Sequence, residues 1–554
     1  MSIRLAQIFV WLVALALCVS GVSAKYKAKE KVVYIPGSGP GNVQLVADVL
    51  FPDPSERGNQ TFPVIIFVNS WGVPEFEYLL RAGKFAEEGY VCVEYATRGW
   101  WFSGGEIDVA GQWDRLDGTA VVDWIVDNRQ EFGANTSAIA FAGISYGAGI
   151  SLEMAGFDPR VTTAVAMSGW ANLSRNLYYQ HSTSLHTVDT LVGIANSSGH
   201  PSPGLLKMYQ DLVTHTDITA AMAYGNQRGA ALVLKNLNWR KTPIFMSNNY
   251  LDRIFYPQEM LTFFEELQGP KYFLNNCGGH AMAEGIGLTD IHNYIWSKAS
   301  MWLNYWLKGE QNGITSENPI RFQNEGYLFD PVYQEFSSWP APTSELQWTQ
   351  YTLLARGSSA TGSLIATNES DTMMKAGARR SSSLQGPDET IFFTSEPPFF
   401  DGEGKQDNHA AFEGVFPSFP LNASRRFSIS YVAQPFTQDT RICGSPTLTV
   451  GLTASNASFQ LYAFLFDVPA DASLTGAIVS DATLTRWGNT DAPTETYGPM
   501  RFRTMCHNFV QGHSLAIGFV LFARRYAPAN TEDSLSVTLR YGGASVVNIP
   551  TVVL

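Results

Sequence analysis

The chain has 554 residues, 45% of them hydrophobic and 16% charged, which is too long for one ordinary domain and apolar enough for large cores. Two or three domains are expected. A net charge of -13 with no basic run excludes a nucleic-acid partner.

Met1-Ser2-Ile3-Arg4 is followed by an apolar run from Ile8 to Val19 and then by Gly21-Val22-Ser23-Ala24, the order of a secretory signal peptide cleaved after Ala24. The run is short of the ~20 residues that span a bilayer, and no other stretch reaches that length. Export without stable membrane association is the expectation. Acceptor patterns for N-glycosylation at Asn59, Asn135, Asn172, Asn196, Asn368, Asn422 and Asn456 suit that route. Cys18 leaves with the signal, and the spacing of Cys92, Cys277, Cys443 and Cys506 matches no zinc motif, so no metal or cofactor is expected. Cys443 and Cys506 share the later domain and form the expected disulfide, whereas Cys92 lies in an apolar strand and reads as a buried thiol.

Lys31–Ile35 and Val43–Leu50 read as an antiparallel entry hairpin around a Gly/Pro turn. Pro63–Val68 is a continuous apolar run of the kind found in buried parallel strands, and it ends in the loop Asn69-Ser70-Trp71-Gly72. A helix with Tyr78, Leu79, Ala82, Phe85 and Ala86 on one face leads to the strand Tyr90–Ala96. The Gly-rich loop Thr97–Gly105 then leaves a strand's carboxyl end, where open α/β sheets bind ligands. Asp114 is placed to cap the helix running through Val121, Val122, Trp124 and Ile125.

The apolar strand Ala138–Ala142 enters Gly143-Ile144-Ser145-Tyr146-Gly147, and a helix leaves through Ala148–Ala155. Gly-x-Ser-x-Gly alone says little in a chain with 48 glycines; the strand-turn-helix setting makes it a nucleophile elbow, with glycines allowing close approach and the turn lifting the serine clear. With the strand Val161–Met167, the alternation is that of a doubly wound, mostly parallel α/β sheet. Short helical pieces over about 171–240 read as a cap. Alternation resumes with Pro243–Asn248, a helix Gln258–Leu267, the strand Lys271–Leu274 and a helix through Ile295, Trp302 and Trp306. Beyond Pro319, short alternating stretches such as Thr447–Leu452 and Phe459–Phe464 recur between turn residues, the pattern of a β-sandwich or jelly roll. The expected units are 25–316 and 317–554.

An elbow serine needs a base and an orienting carboxylate, which in α/β-hydrolases follow in the order Ser, Asp, His on loops after later strands. Asp252 and His280 occupy those loops. His280 would accept the Ser145 proton, Asp252 would fix the imidazole, and the Tyr146 backbone N–H with a donor from the Asn69–Gly72 loop would hold the oxyanion.

These segments, with Arg98-Gly99 and Ser103-Gly104-Gly105, Leu251-Asp252, Gly279-His280, Tyr305-Trp306-Leu307-Lys308-Gly309 and Gly444-Ser445-Pro446-Thr447-Leu448, resemble the serine hydrolases grouped as X-Pro dipeptidyl-peptidases and cocaine-esterase-like acyl hydrolases. The resemblance covers nearly all of the mature chain. It implies a helical cap, a C-terminal jelly roll of galactose-binding-like shape, and a triad of Ser145, Asp252 and His280. Where family members often carry an oxyanion-binding tyrosine, this chain has Trp71, whose indole N–H is the corresponding donor unless a backbone amide serves.

The expected substrate is a small peptide or ester, with release of Xaa-Pro dipeptides ahead and carboxylester hydrolysis as the alternative. Release of Xaa-Pro dipeptides needs an acceptor for a free ammonium, for which Glu75 and Glu77 are the candidates, and a flat apolar pocket for proline, for which Trp100 and Trp101 are. Ester hydrolysis, as in the cocaine-esterase type, needs neither. The alternative of another class is a catalytically inactive carbohydrate-binding or adhesive secreted protein.

Overall fold

The structure, a computed structural model, describes residues 25–553 apart from 290, 326–329, 368–387, 395–417, 423–425, 472–473, 489–493, 524–525 and 530–533. The segment expected to be a signal peptide and Asn368 lie outside the described residues. The chain divides into two compact units, the first holding the residues up to Asn176 together with Val188–Arg321, the second holding Leu177–Thr187 and Val332 onward.

The first unit is built on β1 (Ala28–Pro36), β2 (Gln44–Pro52), β3 (Phe62–Val68), β4 (Val91–Tyr95), β5 (Ala134–Ile144) and β6 (Val161–Met167). Two two-residue strands, β7 (Tyr178–Tyr179) and β8 (Ser182–Thr183), belong to the second unit, and β9 (Ile244–Asn249) and β10 (Lys271–Asn276) complete the first. The strand order is β1-β2-β4-β3-β5-β6-β9-β10. β1 and β2 form the expected antiparallel hairpin, and from β4 to β10 every pairing is parallel. Every residue of β3 and β4 is buried, which explains why β3 is unbroken apolar and β4 apolar but for Glu94, while β1 is largely exposed at the sheet's edge.

From β3 the chain steps one way to β4 and then returns past β3 to β5 and beyond, so the sheet's order reverses between β3 and β5. A switch point of this kind is where open α/β sheets bind ligands, and here it is flanked by the loop after β3 and the elbow after β5. The helix Tyr294–Lys308 shows how the wrapping elements are held. Asn293 caps it by accepting the Trp296 N–H at 3.1 Å, Ile295, Trp296, Ala299, Trp302 and Leu303 are buried, and the Trp302 indole donates to Thr163 Oγ1 of β6 at 2.8 Å. Gly309 ends it in a left-handed turn, φ 74°.

Asp114 does not cap its helix. Gly111 holds that position, and Asp114, in the first turn of Gln112–Asp127, reaches back to the Ala110 N–H at 2.8 Å and accepts the Tyr146 hydroxyl at 2.7 Å.

The cap region consists of the helices Leu173–Leu177, Leu185–Ser198, Pro203–Thr214, Ile218–Asn226 and Leu234–Arg240. Within it, Leu177–Thr187 groups with the second unit because its polar groups find partners there: Ser182 Oγ lies 2.6 Å from Thr485 Oγ1, and Gln180 accepts the Arg501 N–H at 2.8 Å.

The second unit is all β. Phe459–Val468 is buried along its whole length and pairs antiparallel with Thr475–Arg486 and Ser514–Val520, over a core that includes Leu461, Leu465, Ile517, Val537 and Leu539. Cys443 and Cys506 face each other across paired strands and are joined in a disulfide, while Cys92 is a buried thiol in β4. Among the described residues no helix is long and apolar enough to cross a membrane.

Candidate active site

β5 ends at Ile144 and the helix Tyr146–Phe157 begins one residue later, leaving Ser145 between them at φ 56°, a left-handed conformation that non-glycine residues adopt only where surroundings enforce it. The surroundings do so on several sides. Ser145 N–H donates to Met167 O at 2.8 Å, Ile144 N–H donates to the Tyr78 hydroxyl at 2.8 Å, and Ser70 Oγ lies 3.0 Å from Ile144 O. The flanking glycines are required by contact as well as by turn geometry: a Cβ on Gly147 would sit 2.0 Å from Val68 O, and one on Gly143 would sit 2.5 Å from the Gly147 carbonyl carbon.

Ser145 Oγ lies 2.7 Å from His280 Nε2, and His280 Nδ1 lies 2.8 Å from Asp252 Oδ2. Asp252 is fully buried, and its other oxygen accepts the Ile254 and Phe255 N–H groups at 2.9 Å each, so its orientation is set by its own loop. The Phe255 ring packs edge-on against His280 with centroids 5.3 Å apart. Burial disfavours the imidazolium, but the Asp252 carboxylate and its hydrogen bond, with a contribution from Glu284, outweigh it and hold His280 above its ordinary value.

The structure corrects the expectation for Trp71. Its indole N–H donates to Leu191 O of the cap at 2.9 Å, so it is committed and does not face an oxyanion. Tyr146, at the first position of its helix, has a backbone N–H without an intrahelical acceptor. Trp71 packs edge-on against Tyr146 and Trp100, with centroids 5.2 and 4.7 Å apart.

Glu77 is also corrected as an ammonium acceptor, whereas Glu75 keeps one carboxylate oxygen without a hydrogen-bond partner among the described residues. Both are buried, on the short turn Glu75–Tyr78, and Glu77 accepts the Ser70 N–H and hydroxyl at 2.6 Å each. Glu75 faces Asp48, whose carboxyl is pushed up by burial and by the Glu75 charge. Trp100 is fully buried beneath Trp71 rather than open to a ligand, while Trp101 is 45% exposed and ties the neighbouring loop by donating to Gly72 O at 3.0 Å.

Sequence reasoning missed the residues that brace this arrangement: Ser70 and Tyr78 against the elbow, and Ser168 with Glu284 behind His280. Ser168 Oγ accepts the Ala281 N–H at 3.2 Å and the Asn249 amide at 2.8 Å, and Glu284 accepts from Ser247 Oγ at 2.6 Å and Asn249 Nδ2 at 2.8 Å. The only sequence signal was the four-residue spacing of His280 and Glu284.

Four buried carboxyls, Asp48, Glu77, Asp114 and Glu153, are raised by burial to about 6, 7, 7 and 8. Unfolded carboxyls titrate near ~4.3, so between there and about pH 8 the folded chain holds protons that the unfolded chain releases, and stability falls as pH rises through that window. His280 acts in the same direction: its link to Asp252 contributes fully below the ordinary histidine value and fades as pH rises through its raised folded value. The melting temperature is therefore expected to be several degrees higher near pH 5.5 than near pH 8. Calorimetry showing the reverse order would contradict it.

A parallel sheet with a switch point between β3 and β5, a serine on a strained elbow and a histidine–carboxylate pair on the following loops define a hydrolase of the α/β class. Family models match in the same order, X-Pro dipeptidyl-peptidase (S15 family) over residues 39–282 and the X-Pro dipeptidyl-peptidase C-terminal non-catalytic domain over residues 303–518. Both domains of the X-Pro dipeptidyl-peptidase (S15) family are thus matched in this chain.

Among solved structures, an aminopeptidase from a marine-sediment Thaumarchaeota archaeon matches with a TM-score of 0.68 at 12% identity, covering 97% of this chain and 98% of that one. A CocE/NonD family hydrolase from Staphylococcus aureus matches at 0.64 and 13%, covering 97% and 99%. An alpha-amino acid ester hydrolase matches at 0.65 and 15%, covering 96% and 98%. Such identities speak for a shared fold. A curated polyketide transferase from a Penicillium species is 33% identical over 124 residues, 22% of this chain, and the match spans 39% of that protein's length.

Proposed function

We propose that the protein is a secreted serine hydrolase that cleaves acyl bonds through Ser145, His280 and Asp252. The observation that carries this is the continuous chain of hydrogen bonds from Ser145 Oγ through both imidazole nitrogens to Asp252. His280 Nε2 takes the Ser145 proton as Oγ attacks the carbonyl carbon, and Asp252 stabilises the resulting imidazolium. The tetrahedral oxyanion is held by the backbone N–H groups of Tyr146 and Trp71. His280 then protonates the leaving group, the acyl group stays on Ser145, and water attacks by the same steps in reverse. A fluorophosphonate probe tests the reading. Labelling of the wild type that vanishes in Ser145→Ala is expected, and an unlabelled wild type, the behaviour of an inactive binding protein, would end it.

The preferred substrate is an ester with an apolar acyl group. Aromatic rings surround the elbow, Trp71 against Tyr146 and Phe255 against His280, while the two glutamates considered for an ammonium are buried and Glu77 is bonded to Ser70. The match to the S15 family model favours a second reading, release of Xaa-Pro dipeptides. Paired Xaa-Pro anilides with free and acetylated N-termini discriminate. The ester reading expects both to be poor substrates beside short acyl esters; rapid cleavage of the free form alone would establish ammonium recognition.

Activity is expected to fall with acid along one titration whose midpoint lies above the ~6.5 of an ordinary histidine, because His280 must be neutral to accept the proton and its value is raised. A kcat/KM profile flat down to about pH 5 would mean that another base, or none, serves Ser145.

A further inference from the structure

Glu284 is wholly buried, yet no Lys or Arg among the described residues forms an ion pair with it. Its partners are neutral donors, Ser247 Oγ at 2.6 Å and Asn249 Nδ2 at 2.8 Å. The Ser168 hydroxyl also bonds to it. Burying a carboxylate among neutral groups costs several kcal/mol in principle, and an apolar residue of similar volume would fill the space at lower cost. Burial raises the Glu284 carboxyl above the ordinary glutamate value and the bonds from Ser247, Asn249 and Ser168 work to lower it, an arrangement that calls for a role beyond packing.

Two connections lead from Glu284 to His280. The first is mechanical. Ser168, itself at φ 51°, accepts the N–H of Ala281, the residue after His280 and one also held left-handed at φ 57°. The Asn249 amide bonds to both Ser168 Oγ and Glu284, so the carboxylate, the amide and the hydroxyl form one network ending on the turn that presents the imidazole. The second is electrostatic. Glu284 stands four residues after His280, within the short helix Met282–Ile286, and its charge favours the cationic imidazole.

We infer that Glu284 is a positioning residue for His280, fixing the turn that carries the imidazole and adding a second negative charge behind the imidazolium formed during acyl transfer. Asp252 holds the Nδ1 side through a direct hydrogen bond; Glu284 acts through Ser168, Asn249 and the local field. The groups that face this network are few. β6 and β9 bring the neutral Ser168, Ser247 and Asn249, and the helix Tyr294–Lys308 brings the Trp296 indole, which donates to Glu284 O at 2.9 Å. The loop after β10 brings the Cys277 thiol, raised by burial to about 12, and the helix Leu79–Glu87 brings Arg81, whose guanidinium donates to Gly287 O at 3.0 Å. Among the described residues, His280 is the titratable group on which the Glu284 charge acts.

The inference rests on the serine-hydrolase reading, and the test separates the two. Full-length wild type, Glu284→Gln, Glu284→Asp and Ser168→Ala are compared by fluorophosphonate labelling, by kcat and KM on an activated short-chain ester over about pH 5–9, and by melting temperature. For Glu284→Gln the expected result is a kcat lower by about 10-fold, KM within about 2-fold and an acid-limb midpoint lower by roughly 0.5 unit or more, with partial return in Glu284→Asp. Ser168→Ala, which keeps the carboxylate, is expected to lower kcat about 5-fold with the midpoint unmoved.

An unlabelled wild type overturns the serine-hydrolase reading itself. A labelled, active wild type whose midpoint is unchanged in Glu284→Gln overturns only the inference and leaves Glu284 a packing residue. If Glu284→Gln does not fold, Ser168→Ala decides, and an unchanged kcat there overturns the inference.

Discussion

Replacing Ser145 by alanine is expected to lower kcat by about 10⁶-fold, and replacing Asp252 by asparagine by about 10⁴-fold, with little change in melting temperature for the first. Ser145 Oγ is the atom that forms the acyl bond, and the methyl group left behind has no substitute within reach of His280 Nε2. Asp252 acts through the tautomer. Its Oδ1 accepts two backbone N–H groups, so an asparagine there keeps its oxygen on that side and turns its amide toward His280 Nδ1. The imidazole must then present a lone pair at Nδ1 and a proton at Nε2, and a protonated Nε2 cannot accept from Ser145. Stopped-assay kcat values on an activated ester, beside melting curves, check both; Ser145→Ala retaining more than about 1% of activity would remove Ser145 from the nucleophile's role.

Gly147→Ala is expected to destabilise the first unit by about 4 kcal/mol or more. The added Cβ would meet Val68 O at 2.0 Å and Asn69 O at 3.2 Å, both backbone atoms. Neither can move away cheaply, because β3 is buried along its whole length and paired on both sides, with β4 and β5. Gly193 makes the control. It lies within the helix Leu185–Ser198 with nothing within 4 Å of an added Cβ, so Gly193→Ala is expected to raise stability by up to about 1 kcal/mol. Urea titration of the two variants beside wild type gives the comparison, and a Gly147→Ala protein as stable as wild type would mean that the elbow can open from β3 without cost.

Much of the first unit was legible because its signals are short-range. The unbroken apolar run Val64–Val68, and Val91–Tyr95 with Glu94 its one charged residue, are what strands buried on both faces require, and glycines at 143 and 147 around a serine are what a strand-to-helix turn of this tightness requires. Asp252 and His280 could be named before the structure because a parallel sheet puts the loops after β9 and β10 at the same end as the elbow. The function of Leu177–Thr187 was not legible: its helix-breaking residues look like the rest of the cap, and only its partners Thr485 and Arg501, some 300 residues on, assign it to the β unit.

What the sequence by itself determined, then, is everything set by neighbours along the chain: the alternation of strand and helix, the elbow, the loops that carry the acid and the base, and the change to short β segments after Pro319. Only the tertiary structure decided where the polar groups around the elbow are committed. Trp71 gives its indole N–H to Leu191, 120 residues away, Glu77 turns inward to Ser70 beneath the elbow, and Glu284 comes up behind His280 through Ser168, 113 residues from the Ala281 it holds. A side chain's donor or acceptor, and the charge a buried carboxyl keeps, depend on which segments the fold brings into contact, and no local pattern of residues encodes that contact.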